Sequence, residues 1–393
     1  MICQLGTFDV ENYGDLLYPI VFRHLVQKKD PTLQVRLYSL RAGESLRQSA
    51  LTTESIRSLF AKEHSGLRTL VIGGGDILRT DWDLMARHYG RRSRVSLPSV
   101  RNSIDTFGAR RFRARWMNYP AAGPFLIDPN DLPGESRAAY VSCGVPHDFA
   151  ASEIDRVKRT LGNASFIGLR DEDSAEKLLR AGIDCEVRVA PDLTVTLSDQ
   201  FDRNELACRG RQILSRFEVQ CDRPLLCFQS QPYPGFDTDE ILHELKRYQE
   251  RRATEVVALP LGYCHGDHEF LKGLAKRSDG AIKYADVSSV FDMLAIIAAS
   301  DVFVGTSLHG NITAFSFGIP HVFGPLPVAK VDGFLRVANL PLELKMNSWS
   351  ELNDKIDAAI ALSPRFFAAK AYNAKQKVHR LVDDLRLSAF IRG

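Results

Sequence analysis

One imidazole stands where the chain could transfer a proton. His309 lies inside Gly305-Thr306-Ser307-Leu308-His309-Gly310, a run of small and hydroxyl-bearing residues. Histidine changes charge near neutral pH, so it can both give and take a proton there. Ahead of it, Met293–Gly305 reads as a helix, a short turn and the buried strand Asp301–Val304. Behind it, Asn311–Phe317 reads as a helix closed by Gly318 and then Pro320. His309 is therefore expected at the carboxyl end of a strand and the amino end of a helix. In an open α/β sheet that crevice takes ligands, and the free N–H groups of a helix start favour an anion. The alternative is a histidine that only packs the turn. The glycines and hydroxyls around the ring leave room for a ligand and argue against it.

Other candidates share the same strand-end address. Arg170 follows the strand Ser165–Leu169 and offers a planar fork for carboxylate or phosphate. Its alternative is a local ion pair with Asp171, Glu172 or Asp173. Asn12 and Asp15 follow the strand Ile2–Phe8, and Asp15 also reads as the N-cap of a helix beginning near Leu16. Gly73-Gly74-Gly75-Asp76 ends the strand Leu67–Ile72 and would let backbone approach a ligand, or merely make a tight turn. It is not a Walker loop, because no Gly-Lys-Ser/Thr follows. Lys330 opens a further short helix. The cluster His265-Gly266-Asp267-His268-Glu269 suggests a metal, but His265 and His268 lie in a loop and a helix start, with no third ligand at a defined spacing. They read instead as a polar loop with Asp267 as N-cap, so no metal is expected.

These residues need a scaffold, and strands alternating with helices in both halves supply one: an α/β protein of two doubly wound, Rossmann-like domains facing a cleft. With 393 residues the chain exceeds the usual size of a single core. Residues 1–196 are expected to form the first domain, 221–365 the second, and 366–393 a terminal helix; the polar stretch 197–220 reads as the link. The net charge of +3 makes no general claim on nucleic acid. Seven scattered cysteines with no Cys-x-x-Cys pair argue for reduced thiols and a cytoplasmic setting. The start lacks the basic and apolar run of a signal peptide, and no stretch reaches the ~20 apolar residues of a membrane span. One compositional anomaly stands out. Residues 87–115 hold nine arginines against a single acid, Asp105, and Trp116 and Tyr119 follow. A solvated basic loop, a membrane-interface contact and an aromatic sugar platform are the readings; no recognition fold for nucleic acid accompanies the run.

The stretch Ser300–Pro320, SDVFVGTSLHGNITAFSFGIP, is similar to the signature of the polysaccharide pyruvyltransferase family, whose members carry an (Arg/Ser)-Leu-His segment before a helix ending in Gly-x-Pro. The resemblance extends to Asn12-Tyr13-Gly14-Asp15, to Gly73-Gly74-Gly75, and to Arg170-Asp171 with Ser174. It covers most of the chain in order, except roughly 85–135 and 200–220. It implies a GT-B-like arrangement in which the last helix crosses back to the first domain. It also implies transfer of pyruvate from phosphoenolpyruvate, a co-substrate rather than a cofactor, to a sugar as a cyclic ketal. On that basis His309 and Asp15 are assigned to catalysis. Arg170, Ser307, Leu308, Gly310 and Lys330 fall to the donor in the second domain's half of the cleft, and Asn12, Gly74, Gly75 and Asp76 to the saccharide acceptor on the first domain's side. Many members carry arginine two positions before the histidine, where this chain has Ser307. A lipid-linked acceptor at the inner membrane face would suit peripheral contact through 87–115. Two other classes remain open. A GT-B glycosyltransferase would use a sugar nucleotide, but no acid occurs between Gly305 and Lys330 to hold its ribose. A non-catalytic carbohydrate-binding homologue would not need Arg170 and His309.

Overall fold

The computed structural model describes residues 1–44, 51–60, 69–82, 85, 123–220 and 222–390. The arginine-rich stretch 87–115, with Trp116 and Tyr119, lies outside them. Short apolar runs, each ended by glycine, proline or a polar turn, form the strands of two sheets. The first contains β1 (Ile2–Leu5), β2 (Val35–Ser39), β3 (Gly43–Glu44), β4 (Thr52–Ser55), β5 (Thr69–Gly73), β6 (Arg137–Cys143), β7 (Phe166–Leu169) and β8 (Arg188–Val189). Their order is β3-β4-β2-β1-β5-β6-β7-β8, parallel except for β3 against β4. The second contains β9 (Leu225–Gln229), β10 (Glu255–Ala258), β11 (Ile282–Tyr284), β12 (Val302–Gly305) and β13 (His321–Phe323) in the order β11-β10-β9-β12-β13, all parallel. The central strands β1, β5, β9, β10 and β12 are buried along their whole length. Helices cover both faces of such a sheet, which is why these strands read as continuous apolar runs rather than alternating ones.

Two helix starts differ from the sequence reading. The first helix, Tyr13–Lys29, is capped by Asn12, whose side chain accepts from the Gly14 amide at 3.3 Å. Asp15 is thus not the N-cap; it stands in the first turn of the helix. The histidine helix runs Leu308–Ser316 rather than from Asn311, because the Ser307 hydroxyl caps the Gly310 amide at 3.2 Å. His309 therefore sits inside the first turn, and the strand before it ends one residue later than expected, at Gly305.

The stretch 197–220 is more than a link. Its helix Arg203–Leu214 packs on the helix Val290–Ala299 so closely that a Cβ at Gly210 would stand 2.2 Å from the Ala295 carbonyl oxygen. The terminal helix, Ser363–Leu385, touches both sheets' layers. Leu381 lies against Gly168, and Lys29 pairs with Asp383 at 2.9 Å. Toward its start, Phe367 packs against His321 with the rings tilted and their centroids 4.9 Å apart. Among the described residues no helix is long and apolar enough to cross a membrane.

Candidate functional site

The histidine helix begins in a braced turn. The Ser307 amide donates to Gln229 Oε1 at 2.7 Å, and the Asn311 side chain donates to the Gly305 and Ser307 carbonyls at 2.8 and 2.9 Å. With Gly310 capped by Ser307, the Leu308 and His309 amides are left without an acceptor among the described residues. Two N–H groups at a helix start make an anion slot. Gln229 is itself fixed, donating to Asp267 at 2.7 Å, and Asp267 also accepts from the Leu261 and Gly262 amides at 3.3 and 2.8 Å. Burial pushes the Asp267 carboxyl up to about 6. Asp267 is not the helix cap: the helix begins at Asp267 itself, and Gly266, left-handed at φ 86°, holds the cap position. The nearby His268 lies 2.9 Å from Glu269 and stacks on Tyr263. Among the described residues no group of three His, Cys, Asp or Glu side chains is placed to hold a metal.

The first lobe closes over this turn. The Tyr13 amide donates to the Leu261 carbonyl at 2.9 Å, Cys264 donates to Glu11 at 3.2 Å, and Asn12 bridges to Gly262. The Tyr13 hydroxyl lies 3.0 Å from that of Thr313, which in turn donates to the His309 carbonyl at 2.8 Å. Gly14 then meets the imidazole itself. A Cβ there would stand 2.0 Å from Nδ1 and 2.3 and 2.5 Å from its two ring neighbours, so the glycine lies over the ring face. His309 is 15% exposed, and its Nε2 lies 3.5 Å from Asp192 Oδ2.

Around the ring stand two more acids and two cations. Burial pushes half-buried Asp15 up to about 6; a hydrogen bond from Thr7 and the charges of His309 and Lys330 oppose that rise, and Asp76 adds to it. Asp76 moves the other way. Burial would raise it, but the Arg170 guanidinium, Lys330 and His309 hold it below the usual carboxylate range. Arg170 is 5% exposed, pairs with Asp76, and lies 3.6 Å from Asp171. Its guanidinium lies against Gly144, where a Cβ would come within 2.5 Å of Nε. Asp171 also caps the helix Glu172–Arg180 by accepting from Ser174 at 2.7 Å. Lys330 sits in the first turn of the helix Ala329–Val337. That helix is docked on the first lobe by the Arg336–Asp173 pair and by Gly333 against Asp171. No carboxylate among the described residues comes within ion-pair distance of Lys330.

The eleven candidate residues thus gather around the carboxyl ends of β1, β5, β7 and β12. Arg170 and Asp76, assigned to opposite substrates, form one ion pair. Gly74 and Gly75 turn with φ 89° and 74°, and a Cβ on Gly74 would fall 2.9 Å from the Tyr18 ring. The left-handed backbone favours glycine at both positions, and at Gly74 the Tyr18 ring also leaves no room for a side chain. The sequence reading passed over Gly14, Gly144, Gln229 and Asp192. Of these, Asp192 carried a usable signal: it follows a strand in Ala190-Pro191-Asp192, the same address as Arg170 and Asp76.

The family model for polysaccharide pyruvyl transferase matches residues 12–323, which span every residue of this site except Lys330. The chain belongs to that family. As a polysaccharide pyruvyl transferase it is a transferase, and membership implies a saccharide acceptor. No curated protein matches the chain by sequence. Several solved structures share its fold. A putative UDP-N-acetylglucosamine 2-epimerase from Listeria monocytogenes is 12% identical, with TM-score 0.58 over 98% of this chain and 95% of that one. The UDP-GlcNAc 2-epimerase from Neisseria meningitidis, solved with UDP-GlcNAc, is 10% identical, with TM-score 0.57 over 98% and 99%. HepE of Anabaena, solved with UDP-glucose, is 12% identical, with TM-score 0.56 over 98% and 99%. At these identities the likeness establishes the fold alone. The pyruvyl transferase is a two-lobed α/β protein of GT-B type.

Proposed function

We propose that this pyruvyl transferase moves pyruvate from phosphoenolpyruvate onto two hydroxyls of one sugar, forming a cyclic ketal and releasing phosphate. A proton is delivered to C3 of the enol, which becomes a methyl group and leaves C2 as an oxocarbenium. One sugar hydroxyl bonds to C2 and gives up its proton. The C2–O bond to phosphate then breaks, the oxygen leaving with phosphorus, and the second hydroxyl bonds to C2. Of the two hydroxyl protons, one balances the methyl group and the other leaves on phosphate.

The observation that carries this reading is the setting of His309. The ring lies beside two helix-start amides that have no acceptor among the described residues, and its charge and that of Lys330 both act on Asp15. His309 serves as the acid toward C3. Asp15, held near 6, serves as the base toward the hydroxyls. The Leu308 and His309 amides and Lys330 receive the anionic donor. Ser307 stands where many members have arginine, and its hydroxyl is spent on Gly310; Lys330 supplies the missing positive charge. Arg170 acts on the donor through Asp76 and the turn around it. No cofactor is invoked. An acceptor linked to lipid at the inner membrane face fits the arginines of 87–115.

The test is phosphate release from phosphoenolpyruvate across galactose-, glucose- and mannose-type acceptors. Release that depends on one acceptor class and is lost in His309→Ala supports the reading. Consumption of a sugar nucleotide, with phosphoenolpyruvate untouched, would replace it with a glycosyltransferase of the same fold.

A further inference from the structure

Asp192 follows β8 in the first lobe, and the reaction steps above give it no part. It is 1% exposed. Its Oδ1 is fully engaged, accepting from the Thr194 amide at 2.9 Å and from the Thr194 hydroxyl at 2.7 Å. Its Oδ2 has no hydrogen-bond partner and lies 3.5 Å from His309 Nε2. A desolvated carboxylate oxygen without a partner is costly, so its position 3.5 Å from a ring nitrogen calls for an explanation. Burial would raise this carboxyl, yet His309 and the two Thr194 donors hold it well below the usual carboxylate range, which favours the anion.

The ring is constrained on its other sides as well. Gly14 covers the face over Nδ1 without approaching that nitrogen edge-on. The remaining charged groups nearby are Asp15, Asp76, Arg170 and Lys330, with the buried Tyr18 and Cys143 beside Asp192. None of them has a hydrogen bond to the imidazole.

We propose that Asp192 is the positioning residue for His309: it accepts the Nε2 proton, fixes the tautomer, and leaves Nδ1 as the nitrogen that exchanges protons with substrate. The carboxylate belongs to the first lobe and the imidazole to the second, so the proton donor is assembled only while the lobes are closed in this arrangement. This inference rests on His309 being the acid of the proposed reaction, but the tautomer can be read without turnover.

The test uses Asp192→Asn and Thr194→Val in the full chain. Nitrogen NMR of histidine-labelled protein, with His309 identified by its loss in His309→Gln, reports the tautomer directly. Wild type is expected to carry its proton on Nε2, and Asp192→Asn to lose that preference. In kinetics, kcat falls on the order of 10²-fold or more, the KM for phosphoenolpyruvate stays within about threefold, and the pH–rate profile shifts toward acid because an anion that favoured the charged ring is gone. Thr194→Val, which removes one of the two donors to Oδ1 and keeps the charge, shows the same tautomer with a smaller loss of kcat. If Asp192 only caps its own turn, Asp192→Asn lowers thermal stability while tautomer, kcat and pH profile remain those of wild type, and the proposal falls. Should Asp192→Asn fail to fold, a wild-type ring protonated on Nδ1 overturns it equally. If wild type shows no turnover of phosphoenolpyruvate but the Nε2 tautomer depends on Asp192, the reaction is wrong and the positioning stands.

Discussion

Gly14 and His309 meet face to face: the glycine methylene of the first lobe lies over the imidazole of the second, where a Cβ would stand 2.0 Å from Nδ1. No other residue type fits there without moving the ring. Alanine is the better helix former by about 1 kcal/mol, so Gly14→Ala is expected to leave the first helix formed. The displaced imidazole should cost kcat about 10²-fold or more, with circular dichroism unchanged. Wild-type turnover in Gly14→Ala would mean that the ring does not work from this position.

Asp15 stands at the other edge of the site, and its raised carboxyl gives a signed prediction. Its folded value of about 6 exceeds the unfolded value of 3.8, so the native state binds the extra proton between them. The cost of ionising it is absent below pH 3.8 and fully present above pH 6. Asp15→Asn should therefore raise the melting temperature above pH 6 and lose that advantage toward pH 4, while abolishing turnover. The gain is on the order of 2 kcal/mol, allowing for partial exposure. A variant less stable than wild type at pH 7 would show that the carboxylate is paired and not strained.

Arg170 and Asp76 offer a cycle. Arg170 is buried and Asp76 only half-buried, so removing one partner strands the other charge at a cost of about 1–3 kcal/mol, below that of a fully buried pair. Arg170→Ala strands Asp76 and Asp171 together. Chemical denaturation of Arg170→Ala, Asp76→Asn and the double variant should show the double recovering about 1 kcal/mol or more of the summed loss. Strict additivity would mean that the two side chains do not pair in solution.

Much of this site was legible as a set of addresses. Apolar runs that stop at Gly73, Leu169 or Gly305 mark where parallel strands end, and parallel sheets collect ligands there. What sequence order could not give was distance across the fold. Arg170 and Asp76 are 94 residues apart, and Tyr13 and Thr313 are 300 apart. Nothing local tells that either pair touches, so the pairing of Arg170 with Asp76 could not be read from the sequence. Helix starts were misplaced for a different reason. Asn12 and Ser307 both cap through short side chains, and the more acidic or more regular residues downstream masked them.

The arginines of 87–115 test the proposed acceptor. Each contributes on the order of 1 kcal/mol near an anionic surface, fading within a Debye length. Replacing Arg91, Arg92, Arg94, Arg111 and Arg113 by glutamine should reduce sedimentation with anionic vesicles, and high salt should do the same to wild type. Only a lipid-linked acceptor should lose kcat/KM. Wild type that ignores vesicles at low salt would remove the membrane from the account.

The central claim is a proton delivered to carbon, and isotope incorporation reads it most directly. The reaction is run in deuterium oxide with phosphoenolpyruvate and the best acceptor, and the product is examined by mass spectrometry and carbon NMR. The account predicts a sugar that has gained one pyruvate less one water, with a single deuterium in the ketal methyl group, and no such product from His309→Ala. A product without methyl deuterium, or one built from a sugar nucleotide while phosphoenolpyruvate remains, would contradict it.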